Sequence, residues 1–238
     1  MYSFYKHSEH ATTSEQWGDS TDTFFGSTDE KYLGFGNLVQ LTHASLKNGA
    51  DRAPMHLYKN MEIVDIIIRG SVGYQDSLGH VSSFPENTVQ VLSAGAGIYQ
   101  REFNSGDGIV EKIRLGFLPA ILNQAAIKTK ALFNLHENKN SFVELVSPAN
   151  VSSLTIGQHA AVLLGEFDAD QHIGYRLHNN SVGLFVYAVK GTVAVQNVLL
   201  STGEAVGISN EEQTMLHTSE PSILLLIEVE LIEQLENS

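Results

Sequence analysis

Residues 61–103 read MEIVDIIIRGSVGYQDSLGHVSSFPENTVQVLSAGAGIYQREF, and their pattern decides the fold class. Met61 to Ile68 is a β-branched run dense enough for a strand buried on both faces. Ser71 to Gln75 is a second extended segment, and Asp76-Ser77-Leu78-Gly79 supplies the Asp and Gly of a reverse turn. Thr88 to Ser93 alternates again, Ala94-Gly95-Ala96-Gly97 makes a flexible corner, and Ile98 to Phe103 resumes the extended pattern. Ile109 to Phe117 closes the series. Short strands broken by turn signals predict an all-β barrel or sandwich.

Downstream the theme repeats. Leu154 to Phe167, Gly183 to Gln196, Glu204 to Ser209 and Ser222 to Glu230 are further strand candidates. Between the halves, Pro119 to Asn134 carries Ile121, Leu122, Ala125, Ala126 and Leu132 at the spacings of a short helix, with Pro119 at its start, so the connection is expected to be a short helix or a loop. His136 to Ser141 then reads as a linker. The expected domain boundary falls near residues 119–140. Duplication is suggested by one internal match, Arg69-Gly70-Ser71-Val72-Gly73-Tyr74-Gln75 against Lys190-Gly191-Thr192-Val193-Ala194-Val195-Gln196.

The 238 residues are 42% hydrophobic and 17% charged, a balance that disfavours disorder and coiled coil. No cysteine is present, which excludes disulfides, thiolate metal sites, iron–sulfur clusters and cysteine nucleophiles. The formal charge of −13 argues against a nucleic-acid partner. No apolar run reaches the length of a membrane span, and Met1 to Trp17 lacks the apolar stretch of a signal peptide, so a cytoplasmic location with no membrane partner is expected. There is no G-x-S-x-G elbow, no H-E-x-x-H and no phosphate loop opening a helix; Gly95-Ala96-Gly97 joins two strands and reads as a barrel corner.

The run PMHLYKNMEIVDIIIRGSVGYQDSLGH from Pro54, followed by VQVLSAGAGIYQREFN ending at Asn104, resembles the pirin family of bicupins, in particular its bacterial members of quercetin 2,3-dioxygenase type. Weaker similarity takes in Trp17-Gly18-Asp19-Ser20, Phe35-Gly36, the KGTV segment and the apolar final strand. The resemblance implies two jelly-roll cupin β-barrels in one chain, here placed at residues 1–125 and 135–238. It also implies metal chemistry confined to the first barrel.

By the same resemblance, four ligand positions fall on His56, Tyr58, Gln100 and Glu102. Two are ligand types and two imidazoles are missing. Residues two apart on a strand share a face, so each pair can look into the barrel. Non-haem iron sites need at least two His and a carboxylate, whereas a lone His56 and Glu102 hold an exchangeable ion poorly. No tightly bound cofactor is therefore expected; any ion would be one divalent Fe, Ni or Zn. Tyr58 and Gln100 are expected to line a pocket.

Two functional readings follow for this pocket. It is a degenerate site that either binds a flavonol-like or other small molecule or is a vestige of an enzyme site, or it is an active quercetin 2,3-dioxygenase with Glu102 as catalytic base and ligand. A protein-interaction role as a transcriptional cofactor is a third reading, implied by the family alone. In the second half, His172, His178 and His217 suggest an ancestral second site without a working metal.

Overall fold

A computed structural model describes residues 1–24, 29–49, 53–148, 153–179 and 182–231. The strands in chain order are β1 (Tyr2–Tyr5), β2 (Ala11–Ser14), β3 (Gly18–Asp22), β4 (Leu38–Leu46), β5 (His56–Tyr58), β6 (Glu62–Arg69) and β7 (Ser71–Asp76). Next come β8 (Val81–Pro85), β9 (Thr88–Ser93), β10 (Ile98–Asn104), β11 (Val110–Phe117), β12 (Ile127–Leu132), β13 (Phe142–Val146) and β14 (Ala160–Phe167). The last are β15 (His172–Arg176), β16 (Val182–Lys190), β17 (Val193–Val195), β18 (Val198–Leu200), β19 (Ala205–Ile208), β20 (Gln213–Thr218) and β21 (Ser222–Glu230). No helix of the described residues is long and apolar enough to cross a membrane.

The strands form two two-sheet barrels of the same topology. In the first barrel the sheets run β12-β9-β6-β11-β4-β3-β2 and β5-β10-β7-β8; in the second they run β1-β19-β16-β21-β14-β13 and β15-β20-β17-β18. Adding ten to a strand number of the first barrel gives its counterpart in the second, from β3 through β11. The two matching heptapeptides therefore lie in equivalent places, at the β6–β7 and β16–β17 junctions. Gly70 and Gly191 share a left-handed φ of +81° and +87°. A Cβ at Gly191 would come within 2.7 Å of the Pro221 carbonyl oxygen, and one at Gly70 within 2.8 Å of that of Ile109. Only glycine fits such a turn.

Sequence order and spatial order part company at the ends. Strand β1 pairs with β19, so Tyr2–Tyr5 complete the second barrel's sheet although they stand in the first segment of the chain. The helix expected over Pro119–Asn134 does not form. Its second half is β12, paired through six residues with β9. A helix there would have left the β9 edge unpaired and buried nothing, since Ile121, Leu122 and Leu132 are all exposed.

The doubly buried runs lie where the barrels meet. Val64 and Ile66 of β6, Ile113 and Leu115 of β11, Phe185 and Tyr187 of β16, and Leu225 and Ile227 of β21 fill a core shared by both barrels. Phe185 packs there against Tyr5, Phe24 and Phe35 at ring distances of 5.2, 5.5 and 5.6 Å. The alternate residues of the same strands point into each barrel. Ile67 joins an inner cluster with Leu46, Val72 and Tyr74, and Leu184 and Val186 join the interior of the second barrel. This arrangement decides what the inner face of β11 does with Lys112 and Arg114.

Candidate functional site

Strand β10 sits between β5 and β7, with Gln100 opposite His56 and Ile98 opposite Tyr58. The period of two sends Gln100 and Glu102 inward together. His56, Tyr58, Gln100 and Glu102 all line one cavity of about 320 Å³ in the first barrel. They are not equal in placement. Gln100 is 2% exposed, Glu102 and Tyr58 are partly buried, and His56 stands exposed at the rim.

The floor of the cavity holds residues that the sequence reading passed over. Lys112 and Arg114 of β11 line it, and Asp65 of β6 is buried against them. Arg114 Nε donates to Asp65 Oδ1 at 2.8 Å, and its Nη2 donates to Asp65 Oδ2 at 2.8 Å and to Glu102 Oε2 at 3.0 Å. Its Nη1 donates to the Tyr58 hydroxyl, and the guanidinium lies 5.3 Å from the Tyr58 ring centre. Lys112 Nζ donates to Asp65 Oδ1 at 3.3 Å and also to Glu102 Oε2. Tyr74 donates its hydroxyl to Asp65 Oδ2 at 3.1 Å.

These contacts set the charges. Burial by itself would raise the Asp65 carboxyl, but the Arg114 and Lys112 charges outweigh it and hold Asp65 well below the usual carboxylate range. The same balance keeps Glu102 low. Burial works against the Arg114 cation, yet Asp65 and Glu102 hold its pKa well above the ordinary value. Tyr58 is raised, chiefly by burial. The floor is thus two cations against two anions. Such a quartet survives in a low-dielectric interior because each charge finds an opposite one and its hydrogen bonds.

This donor set does not match an exchangeable transition-metal site. Among the described residues no three His, Asp or Glu side chains group as ligands. Glu102 Oε2 already accepts from an ammonium and a guanidinium. A divalent cation placed beside it would meet two fixed positive charges.

Two family models match the chain: pirin over residues 5–115 and the quercetinase C-terminal cupin domain over residues 144–229. A provisionally named quercetin 2,3-dioxygenase of Zymomonas mobilis is 31% identical over 178 residues, 73% of this chain and 74% of that protein. The chain belongs to the pirin family. The quercetin 2,3-dioxygenase of Escherichia coli K12 is 24% identical over 227 residues, 94% of this chain and 96% of that protein. Among solved structures, Escherichia coli YhhW superposes with a TM-score of 0.88 at 23% identity, covering 98% of this chain and all of that one. Its nickel(II) complex gives a TM-score of 0.87. At that identity the likeness establishes the shared bicupin fold.

The second barrel of this pirin has its own polar cluster. Glu228, buried on the inner face of β21, accepts from the Tyr175 hydroxyl at 2.7 Å and lies 3.1 Å from His178 Nδ1. Glu144 is 3.4 Å from His178 Nε2. His172 and His217 stand elsewhere, as cross-strand partners with rings stacked at 4.3 Å. The three histidines therefore do not converge. His80 ends its turn in solvent, within 3.2 Å of Asp76 Oδ2.

Proposed function

We propose that this pirin uses its first barrel to bind a small organic molecule without a metal ion. The observation that carries this reading is the double engagement of Glu102 by Lys112 and Arg114. The carboxylate that metal chemistry would require is occupied by the protein's own cations. Tyr58 and Gln100, at the two positions where the family pattern calls for imidazole, add a phenol and an amide to the pocket wall. The walls are mixed: Trp17, Ala53, Leu57 and Met61 are apolar, and Gln40 and Thr42 bear hydrogen-bonding groups. A planar hydroxylated molecule of the flavonol kind suits such a cleft, with its ring on the apolar wall and its hydroxyls on the polar one.

The quercetin 2,3-dioxygenase names of its relatives support a second reading, in which the same cavity oxidises its ligand with a bound metal. Elemental analysis of purified protein, with quercetin titration and oxygen uptake on the same preparation, separates the two. The first reading requires saturable binding, a metal content far below stoichiometric and no oxygen consumption. Near-stoichiometric iron, nickel or zinc with flavonol cleavage would replace it by the second.

A further inference from the structure

The quartet on the cavity floor is electrically closed, and one acidic side chain of the lining is left outside it. Asp22, the last residue of β3, lines the cavity and is partly buried. Its Oδ1 accepts from the hydroxyl of Thr42, its cross-strand partner. Among the described residues no lysine, arginine or histidine is ion-paired with it, since Arg114 spends its donors on Asp65, Glu102 and Tyr58. Arg101, which neighbours Gln100 along β10, donates to Gln75 at 2.7 and 3.1 Å. Burial raises the Asp22 carboxyl, and the Thr42 bond and the more distant Arg114 charge offset that only in part.

Arg101 also lines the cavity and its partner Gln75 is neutral, so the cavity as a whole carries one positive charge with Asp22 protonated and none with Asp22 ionised. The preference for donors is therefore local to Asp22. A ligand carboxylate placed at the Asp22 oxygens would meet a partly buried carboxyl group with no cation paired to it. A hydroxyl or an ammonium instead brings a donor to the Asp22 oxygens. Gln100, another lining residue, has its Oε1 buried with no hydrogen-bond partner, a second acceptor for a donor.

We infer that Asp22 is the specificity-determining residue of this pocket, receiving the donor head of a small amphipathic ligand and making the site select amines and alcohols over carboxylates. The inference rests on the reading of the cavity as a metal-free binding site. The recognised chemistry is an apolar ring against Trp17, Leu57 and Met61, with a hydroxyl or ammonium group reaching Asp22.

Trp17 is the single tryptophan of the chain and lines the cavity, so its fluorescence reports occupancy directly. Benzylamine, benzyl alcohol and benzoate share one ring and differ in the head group. They are titrated at pH 8 against the native protein and Asp22→Asn on a preparation of measured metal content. Benzylamine should bind about tenfold or more tighter than benzoate, with benzyl alcohol between, as a charge-assisted hydrogen bond predicts. In Asp22→Asn the advantage of the amine should vanish while benzyl alcohol stays within about threefold, because a side-chain amide still accepts from a hydroxyl.

Asp22→Ser serves as a second variant, and the selectivity of the native protein is decisive even if both variants unfold. Benzoate binding as tightly as benzylamine, or an unchanged preference in folded Asp22→Asn, overturns the role of Asp22 while leaving the pocket standing. Failure of all three probes to bind overturns the pocket itself.

Discussion

Arg114 and Asp65 meet side-on beneath the first barrel's cavity, with Nε to Oδ1 and Nη2 to Oδ2 both 2.8 Å. Asp65 is 1% exposed, and this pairing makes the two residues a single unit. Removing one partner strands the other's charge in the interior. Asp65→Asn is therefore expected to cost about 3–5 kcal/mol in urea unfolding. Glu102→Gln should cost less than Asp65→Asn, because Lys112 and Arg114 keep Asp65 and the Glu102 side chain reaches partly into solvent.

The same unit governs metal affinity. Replacing Tyr58 and Gln100 by histidine restores three imidazoles and a carboxylate around the cavity, but Lys112 and Arg114 still hold Glu102. The double variant Tyr58→His, Gln100→His is expected to take up little nickel. Adding Lys112→Gln removes one repelling charge and frees one carboxylate bond, and occupancy should rise several-fold over the double variant. Elemental analysis after nickel loading and dialysis measures both. Equal uptake by the double and triple variants would show that Lys112 is no barrier.

His10 makes the stability of the fold pH-dependent. It is 8% exposed, and neither ring nitrogen has a hydrogen-bond partner. Burial, then the neighbouring His7, lowers its pKa from 6.5 to about 4, with Glu9 and Glu204 pulling the other way and Lys31 adding to the fall. The unfolded chain thus binds the proton first, so stability is full above pH 6.5 and falls as pH drops toward 4. The loss should be roughly 2 kcal/mol. Asp22 acts in the opposite direction because its raised pKa makes the native state take up a proton more readily. The melting temperature of His10→Leu should vary much less than that of the native protein between pH 7 and pH 4.5.

The barrels are also joined by a polar bridge. His43 of β4 lies 3.1 Å from the Tyr187 hydroxyl of β16 through Nδ1 and 2.8 Å from Glu111 through Nε2. The His43 bond is the first cause of the lowered Glu111 pKa. Tyr187→Phe keeps the ring packing and deletes the bridge, so a loss of about 1 kcal/mol is expected in chemical denaturation. An unchanged midpoint would mean that solvent replaces the hydroxyl at no cost.

The sequence by itself determined β6, β7, β9, β10 and β11 of the first barrel, the turn at Asp76–Gly79, the duplication marked by Gly70 and Gly191, and the shared face of Gln100 and Glu102. Each of these rests on local chemistry: β-branched runs, a left-handed glycine, a period of two. The pocket floor was decided by tertiary structure alone. In Glu111-Lys112-Ile113-Arg114-Leu115 the alternation reads as a strand with an apolar buried face and a charged solvent face, which is the usual arrangement. Here the apolar face meets the other barrel, and Lys112 and Arg114 point inward. Asp65, alone among isoleucines and valines, became their counter-ion for the same reason. β12 replaced the expected helix because an edge strand 34 or more residues earlier in the chain lacked a partner, and β1 crossed to the second barrel to fill the matching edge. A period of two tells which residues share a face. Which face is inside depends on what packs against it, and that is settled only when the two barrels close on each other.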